Sequence, residues 1–137
     1  MANEAVVTDY FGINGDQVSF TIVDNTAIAK GAILKMTTDR TAIINSGAGD
    51  VLCGLAAHAK TASDGKTQMS VITNCIAKFT IVAGGSTTVG KGVRVSATAN
   101  QIDAITTLDD ENGKQLGIAL ETGAAGETVL VRVHTLA

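Results

Sequence analysis

The stretch GGSTTVGKG, residues 84–92, sets Gly85, Gly90 and Lys91 at the spacing of a phosphate-binding P-loop. In such a loop the glycine N–H groups and the lysine cradle phosphates, and a Ser or Thr directly after the lysine reaches magnesium. Here that next residue is Gly92. A P-loop must also open a helix whose N-terminus faces the phosphates, whereas the VRVSA that follows alternates like a strand. The Lys91-Gly92 pair recurs as Lys30-Gly31, where no P-loop pattern precedes it. The expectation is a turn into a strand, with no nucleotide and no other cofactor.

The remaining reactive side chains form no constellation. Cys53 and Cys75 sit in apolar runs, DVLCGLAA and NCIAKFTIV, and are expected as buried free thiols. His58 and His134 stand at no metal-ligand spacing from them. Asp109, Asp110 and Glu111 are consecutive, and consecutive carboxylates do not converge on one ion without an EF-hand-like loop. No serine lies in a nucleophile elbow. No catalytic residue and no metal site is expected, so the chain reads as a non-enzyme.

The elements around these residues are strands. VSFTIV places Val18, Phe20 and Ile22 on one face, and GVRVSA places Val93, Val95 and Ala97. QLGIAL gives Leu116, Ile118 and Leu120, and TVLVRV gives Val129, Val131 and Val133 against Thr128, Leu130 and Arg132. Period-two alternation marks half-buried strands. Turns are expected at Asn14-Gly15, Asp64-Gly65, Gly84-Gly85 and Asn112-Gly113. TTLDDENG reads as one helical turn capped by Thr107. At an offset of 61 residues IAKGAILKMT matches VGKGVRVSAT, and GKTQMSVI matches GETVLVRV; Gly54 and Gly117 align between them with a small slip. The prediction is an all-β fold, a small barrel or sandwich of short strands built from two related halves, about 28–73 and 89–134, within one domain over 18–137.

With 137 residues the chain suffices for one core. Aromatic residues make up only 3% against 45% hydrophobic, so that core must be Val, Ile, Leu and Ala. The net charge of −3, with scattered basic residues, argues against a nucleic acid partner. No apolar run reaches the roughly 20 residues of a membrane span, and the N-terminus lacks signal-peptide regions. A protein made in a cytoplasm is expected. Residues 1–17 precede the repeat and hold the single tyrosine. They read either as an edge strand or as an extended N-terminal arm of about 50 Å that docks elsewhere through Val6, Val7, Tyr10 and Phe11.

IAKGAILKM, GDVLCGLAA, TVGKGVRVSATANQI and GKQLGIALETGAAGETVLVRV together resemble the head decoration, or capsid cement, proteins of tailed bacteriophages. The resemblance covers about residues 20–135 and rests on Gly, Ala and Val patterns. It implies a non-enzymatic homotrimer on the outer capsid surface of the virion, made in the host cytoplasm, that bridges neighbouring major capsid proteins. The N-terminal arm would then be the shell-binding segment. The alternative of the same composition is another β-rich virion protein, associated with a tail tube or fibre.

Overall fold

Alternating small apolar residues close into cylinders when each strand has one inward face. A computed structural model, describing residues 3–47, 50–105 and 114–135, shows two of them. In the first barrel β2 (Val18–Thr21), β3 (Ile33–Thr38), β4 (Thr41–Ile44), β5 (Leu52–Ala56) and β6 (Gln68–Ile72) close in the order β2-β4-β3-β5-β6. In the second, β7 (Asn74–Ile81), β9 (Gly92–Val95), β10 (Gln101–Ala104), β11 (Gly117–Ala119) and β13 (Thr128–His134) close in the order β7-β10-β9-β11-β13. The short β8 (Ser86–Thr87) and β12 (Gly123–Ala124) pair at one end of the second barrel. The strand β1 (Val6–Tyr10) lies antiparallel along the start of β7. The described residues contain no helix.

The barrels repeat each other pair by pair. Phe20 faces Met69 as Phe79 faces Val129. Lys35 faces Ile43 as Arg94 faces Asp103, and Ala56 faces Val71 as Ala119 faces Val131. The single parallel contact in each barrel is also shared, Thr21 on Thr41 and Thr80 on Gln101. Even the isolated bridge Ile28–Lys60 has its counterpart in Thr87–Gly123.

This register corrects the offset of 61 residues. Gly31 N–H donates to Ala56 O at 2.9 Å, and Gly90 N–H donates to Ala119 O at 2.8 Å. Ala56 N–H donates to Ala32 O, and Ala119 N–H to Lys91 O, both at 2.9 Å. Gly31 therefore corresponds to Gly90, 59 positions on, and Lys91 to Ala32. The shared Lys-Gly dipeptide is a coincidence of spelling. What recurs is the left-handed glycine, φ 85° at Gly31 and 82° at Gly90, which turns the chain into β3 and β9 without a Cβ penalty. The repeated unit also reaches further back than 28–73, because β2 and β7 belong to it.

The two interiors use matching positions. Phe20, Ile22, Leu34, Ala42, Cys53, Ala56, Met69 and Val71 fill the first barrel. Phe79, Ile81, Val93, Ile102, Leu116, Ala119, Val129 and Val131 fill the second. The second core continues across the junction: Ile33, Leu52, Leu55 and Ile72, on the outer flank of the first barrel, pack with Cys75, Ala77, Val95 and Val133 at the end of the second. Asn100, at the β9–β10 tip, bolts the junction. Its Oδ1 accepts from Ile33 N–H at 2.9 Å, and its N–H donates to Asn45 Oδ1 at 3.0 Å.

Two readings of strand faces need correction. In QLGIAL, Ile118 and Leu120 point outward while Ala119 is buried. The reason is Gly117: a Cβ there would run into the Arg132 carbonyl, so that position takes the close approach to β13 and Ile118 turns to the outer face. In GVRVSA, Ala97 is exposed and Ser96 is buried. The strand ends at Val95, and the Ser96 hydroxyl donates to the Thr98 and Gln101 carbonyls of the turn. The helical turn at TTLDDENG, the Asn112-Gly113 turn and the run Asp109 to Glu111 lie outside the described residues.

Candidate interaction surface

The segment GGSTTVGKG becomes β8, a turn closed by Lys91 N–H on Thr88 O at 3.0 Å, and the entry to β9. The expected turn into a strand is what stands there. Cys53 and Cys75 are both buried and unpaired. Burial pushes the Cys53 thiol up to about 12. It pushes Cys75 up to about 11, against a smaller pull from the Arg132 charge. Neither is a thiolate near neutral pH, so neither has nucleophile character. Among the described residues no three His, Cys, Asp or Glu side chains group as metal ligands.

One charged cluster sits at the end of the first barrel, with a covered Lys60 between two solvent-accessible aspartates. Lys60 Nζ donates to Asp64 Oδ1 at 2.8 Å, to Asp24 Oδ1 at 3.0 Å, and to the carbonyls of Asp24 and Thr61 at 2.8 and 2.9 Å. Burial disfavours its charge, but the hydrogen bonds to Asp64 and Asp24 outweigh that and raise its pKa. Asp64 is held down to about 2, first by the Lys60 hydrogen bond and then by the Lys66 N–H. A lysine held protonated is the reverse of an activated amine. The cluster ties Asp24 and Asp64 to the Lys60 end of the Ile28–Lys60 bridge.

Among the described residues this leaves surfaces. Of the four residues read as an arm, Val6, Val7 and Tyr10 belong to β1, paired in its own chain with Lys78, Ala77 and Cys75. Ala5 N–H donates to Gly31 O at 2.9 Å, so the segment touches both barrels. Val7 turns inward and packs on the core. Val6, at 62% exposure, and Tyr10, at 48%, stay open to solvent. All three line a shallow cleft of about 250 Å³ with Ala5, Lys30, Gly31, Ala56 and Ile72. Phe11 is separate: its ring lies under the Arg132 guanidinium, 4.2 Å from carbon to centroid. Ile13, at 83%, follows in the turn after β1. Among the described residues the other edge of β1 has no partner strand.

A second exposed apolar surface was missed by reading Ile118 and Leu120 as core. They are 43% and 41% exposed, and Ile118 sits directly opposite Arg132 on β13. Its signal in the sequence was Gly117, whose pairing with Gly54 marked a position unable to carry a side chain. No known protein family model matches this sequence, and no curated protein matches it.

Proposed function

We propose that this protein is a non-enzymatic structural component of a tailed-phage virion, bound to the outside of the capsid and bridging neighbouring major capsid proteins. The observation that carries the reading is the disposition of side chains in β1 and the turn that follows. Val6 and Tyr10 on β1 and Ile13 in the turn beyond it are exposed, Phe11 stacks on Arg132, and β1 lies at the edge of its sheet, an arrangement suited to adding a strand or seating anchors on a partner. The buried thiols and the Lys60 ammonium are held in their protonated forms, which suits structure better than nucleophilic chemistry. Many weak contacts of this kind suffice for a clamp, because once one subunit is engaged the next contact is effectively intramolecular. A homotrimer extends this avidity to several shell subunits.

The test is quantitative mass spectrometry of purified particles, reading this chain's copy number against the main shell protein. Comparable abundance is the expected result. Abundance far below the shell favours the tail-tube or fibre alternative, and absence from particles overturns the virion reading. The residues are then tested by co-sedimentation with shells. Deleting residues 2–11 would also remove Ala5 and Val7 from the core. The cleaner variant is Val6→Asp with Tyr10→Ser and Phe11→Ser. It is expected to stay folded and lose shell binding; undiminished binding would rule out the β1 surface.

A further inference from the structure

Because the barrels match pair by pair, each half of the junction inside the chain has a counterpart elsewhere on the same molecule. The first half is the flank of the first barrel: Ile33, Leu52, Leu55 and Ile72, essentially inaccessible to solvent. Its counterpart on the second barrel is Gly92, Gln115, Ile118 and Arg132, given by the shared partners of Leu34 and Val93, Gly54 and Gly117, and Val71 and Val131. The second half is the end of the second barrel, Cys75, Ala77, Val95 and Val133 with the Asn100 tip. Its counterpart on the first barrel is Asp16, Val18, Met36 and Thr73, with Arg40 at the tip.

Each counterpart keeps exposed residues, although Thr73 is buried with its hydroxyl on the Asp16 carbonyl, Ile105 and Gln115 lie over Gly92, and Arg132 stacks on Phe11. Ile118 and Leu120 are exposed on one; on the other, Val18 and Met36 are half-buried and the tip residues Thr38, Asp39 and Arg40 are exposed. The tip keeps its shape, since Arg40 has φ 47° and Asn100 has φ 64°. Charge is complementary as well. Lys91 and Lys114 adjoin the flank residues Gly92 and Gln115 in sequence and Arg132 belongs to the flank, with Glu121 the acidic residue beside them. At the free end Asp16 and Asp39 stand against Arg40, while Lys35 and Asp50 pair with each other at 3.9 Å.

We infer that the free flank of the second barrel receives the free end of the first barrel of another copy, so that copies join head to tail through the same faces that join the barrels within the chain. Such an interface is heterologous, and it closes into a ring or continues as a filament according to the rotation between copies. The inference rests on the internal repetition and holds whether or not the partner of β1 is a capsid.

The experiment uses the full chain with a trapped disulfide. Within the chain Asn100 sits against Asn45 and Ile33; the equivalent contact between copies is Arg40 against Ile105. Arg40→Cys and Ile105→Cys proteins are mixed, oxidised and mapped, with each single variant alone as control and the buried native thiols left in place. The wild type is followed in parallel by sedimentation velocity up to about 200 μM, where even a Kd of ~0.1 mM shows. The expected result is a 40–105 cross-link in the mixture and concentration-dependent growth. Ile118→Glu and Asp39→Lys, both at exposed positions, should each weaken that growth by at least about tenfold with an unchanged melting temperature. A monomer throughout with no 40–105 cross-link overturns the proposal, and so do oligomers indifferent to both substitutions.

Discussion

The two barrels agree inside and disagree outside. Phe20 and Phe79 occupy one position, as do Ile22 and Ile81, Leu34 and Val93, and Val71 and Val131. On the flank, Ile33, Leu52, Leu55 and Ile72 stand where the second barrel has Gly92, Gln115, Ile118 and Arg132. Closing a five-strand ring of this register fixes which positions point inward and how much volume they must fill. What lies against the outer wall is a separate constraint, and the first barrel's flank has the other barrel packed on it. The ends differ too: Lys60 with Asp24 and Asp64 finishes the first barrel, while Thr87 and Gly123 finish the second with the Thr87 hydroxyl donating to Glu121 O at 3.1 Å.

The comparison is broken most severely from within. Phe20→Ala and Phe79→Ala should each cost about 3–5 kcal/mol in chemical denaturation. If the interiors are equivalent, the two losses will agree within about 1 kcal/mol. Next come the paired glycines. Gly54→Ala would press a methyl on the Ile72 carbonyl, and Gly117→Ala on the Arg132 carbonyl, so each should lose about 1–3 kcal/mol. Asn100 then separates the junction from the barrels. Asn100→Ala removes the acceptor for Ile33 N–H and places a Cβ-bearing residue without that bond at φ 64°. A loss of about 1–2 kcal/mol is expected, and Asn100→Gly, which relieves the backbone, should recover only part of it.

The smallest effect sharpens the contrast between the ends. The Asp64 carboxyl is held at about 2, below its ordinary 3.8, so its stabilisation is fully present above about pH 4 and is lost as pH falls toward 2. Thermal melts over that window should fall more steeply for the wild type than for Asp64→Asn. An equal slope would assign the acid response to other carboxylates.

Much of the fold was legible because small barrels leave a period-two trace. TVLVRV reads correctly along its length, and the Asn14-Gly15 turn was visible as two residues that tolerate left-handed backbone, at φ 53° and 81°. Closure was not legible, since nothing local distinguishes a sandwich from a ring completed by β7 meeting β13. The repeat was visible but misregistered, because identical dipeptides outweighed the φ requirement that Gly31 and Gly90 share. The candidate surface was half legible. Val6, Tyr10 and Phe11 stood out by composition, but their pairing with a strand near residue 76 depends on contacts remote in sequence. Ile118 and Leu120 were hidden by a strand whose inward set is small, Gly117 and Ala119.

The position of β1 has a consequence for how the protein is made. Thr8 bonds the Ile76 carbonyl across 68 residues, so β1 pairs with a strand that leaves the ribosome much later. At ordinary elongation rates the interval is roughly 3–14 s. The first barrel has all five of its strands once Ile72 has emerged. From then until Val95 and Val133 emerge, its flank of Ile33, Leu52, Leu55 and Ile72 lacks part of its cover, and β1 lies beside an unfinished sheet. Nascent copies on one messenger are therefore most adhesive midway through translation, well before the finished surface exists.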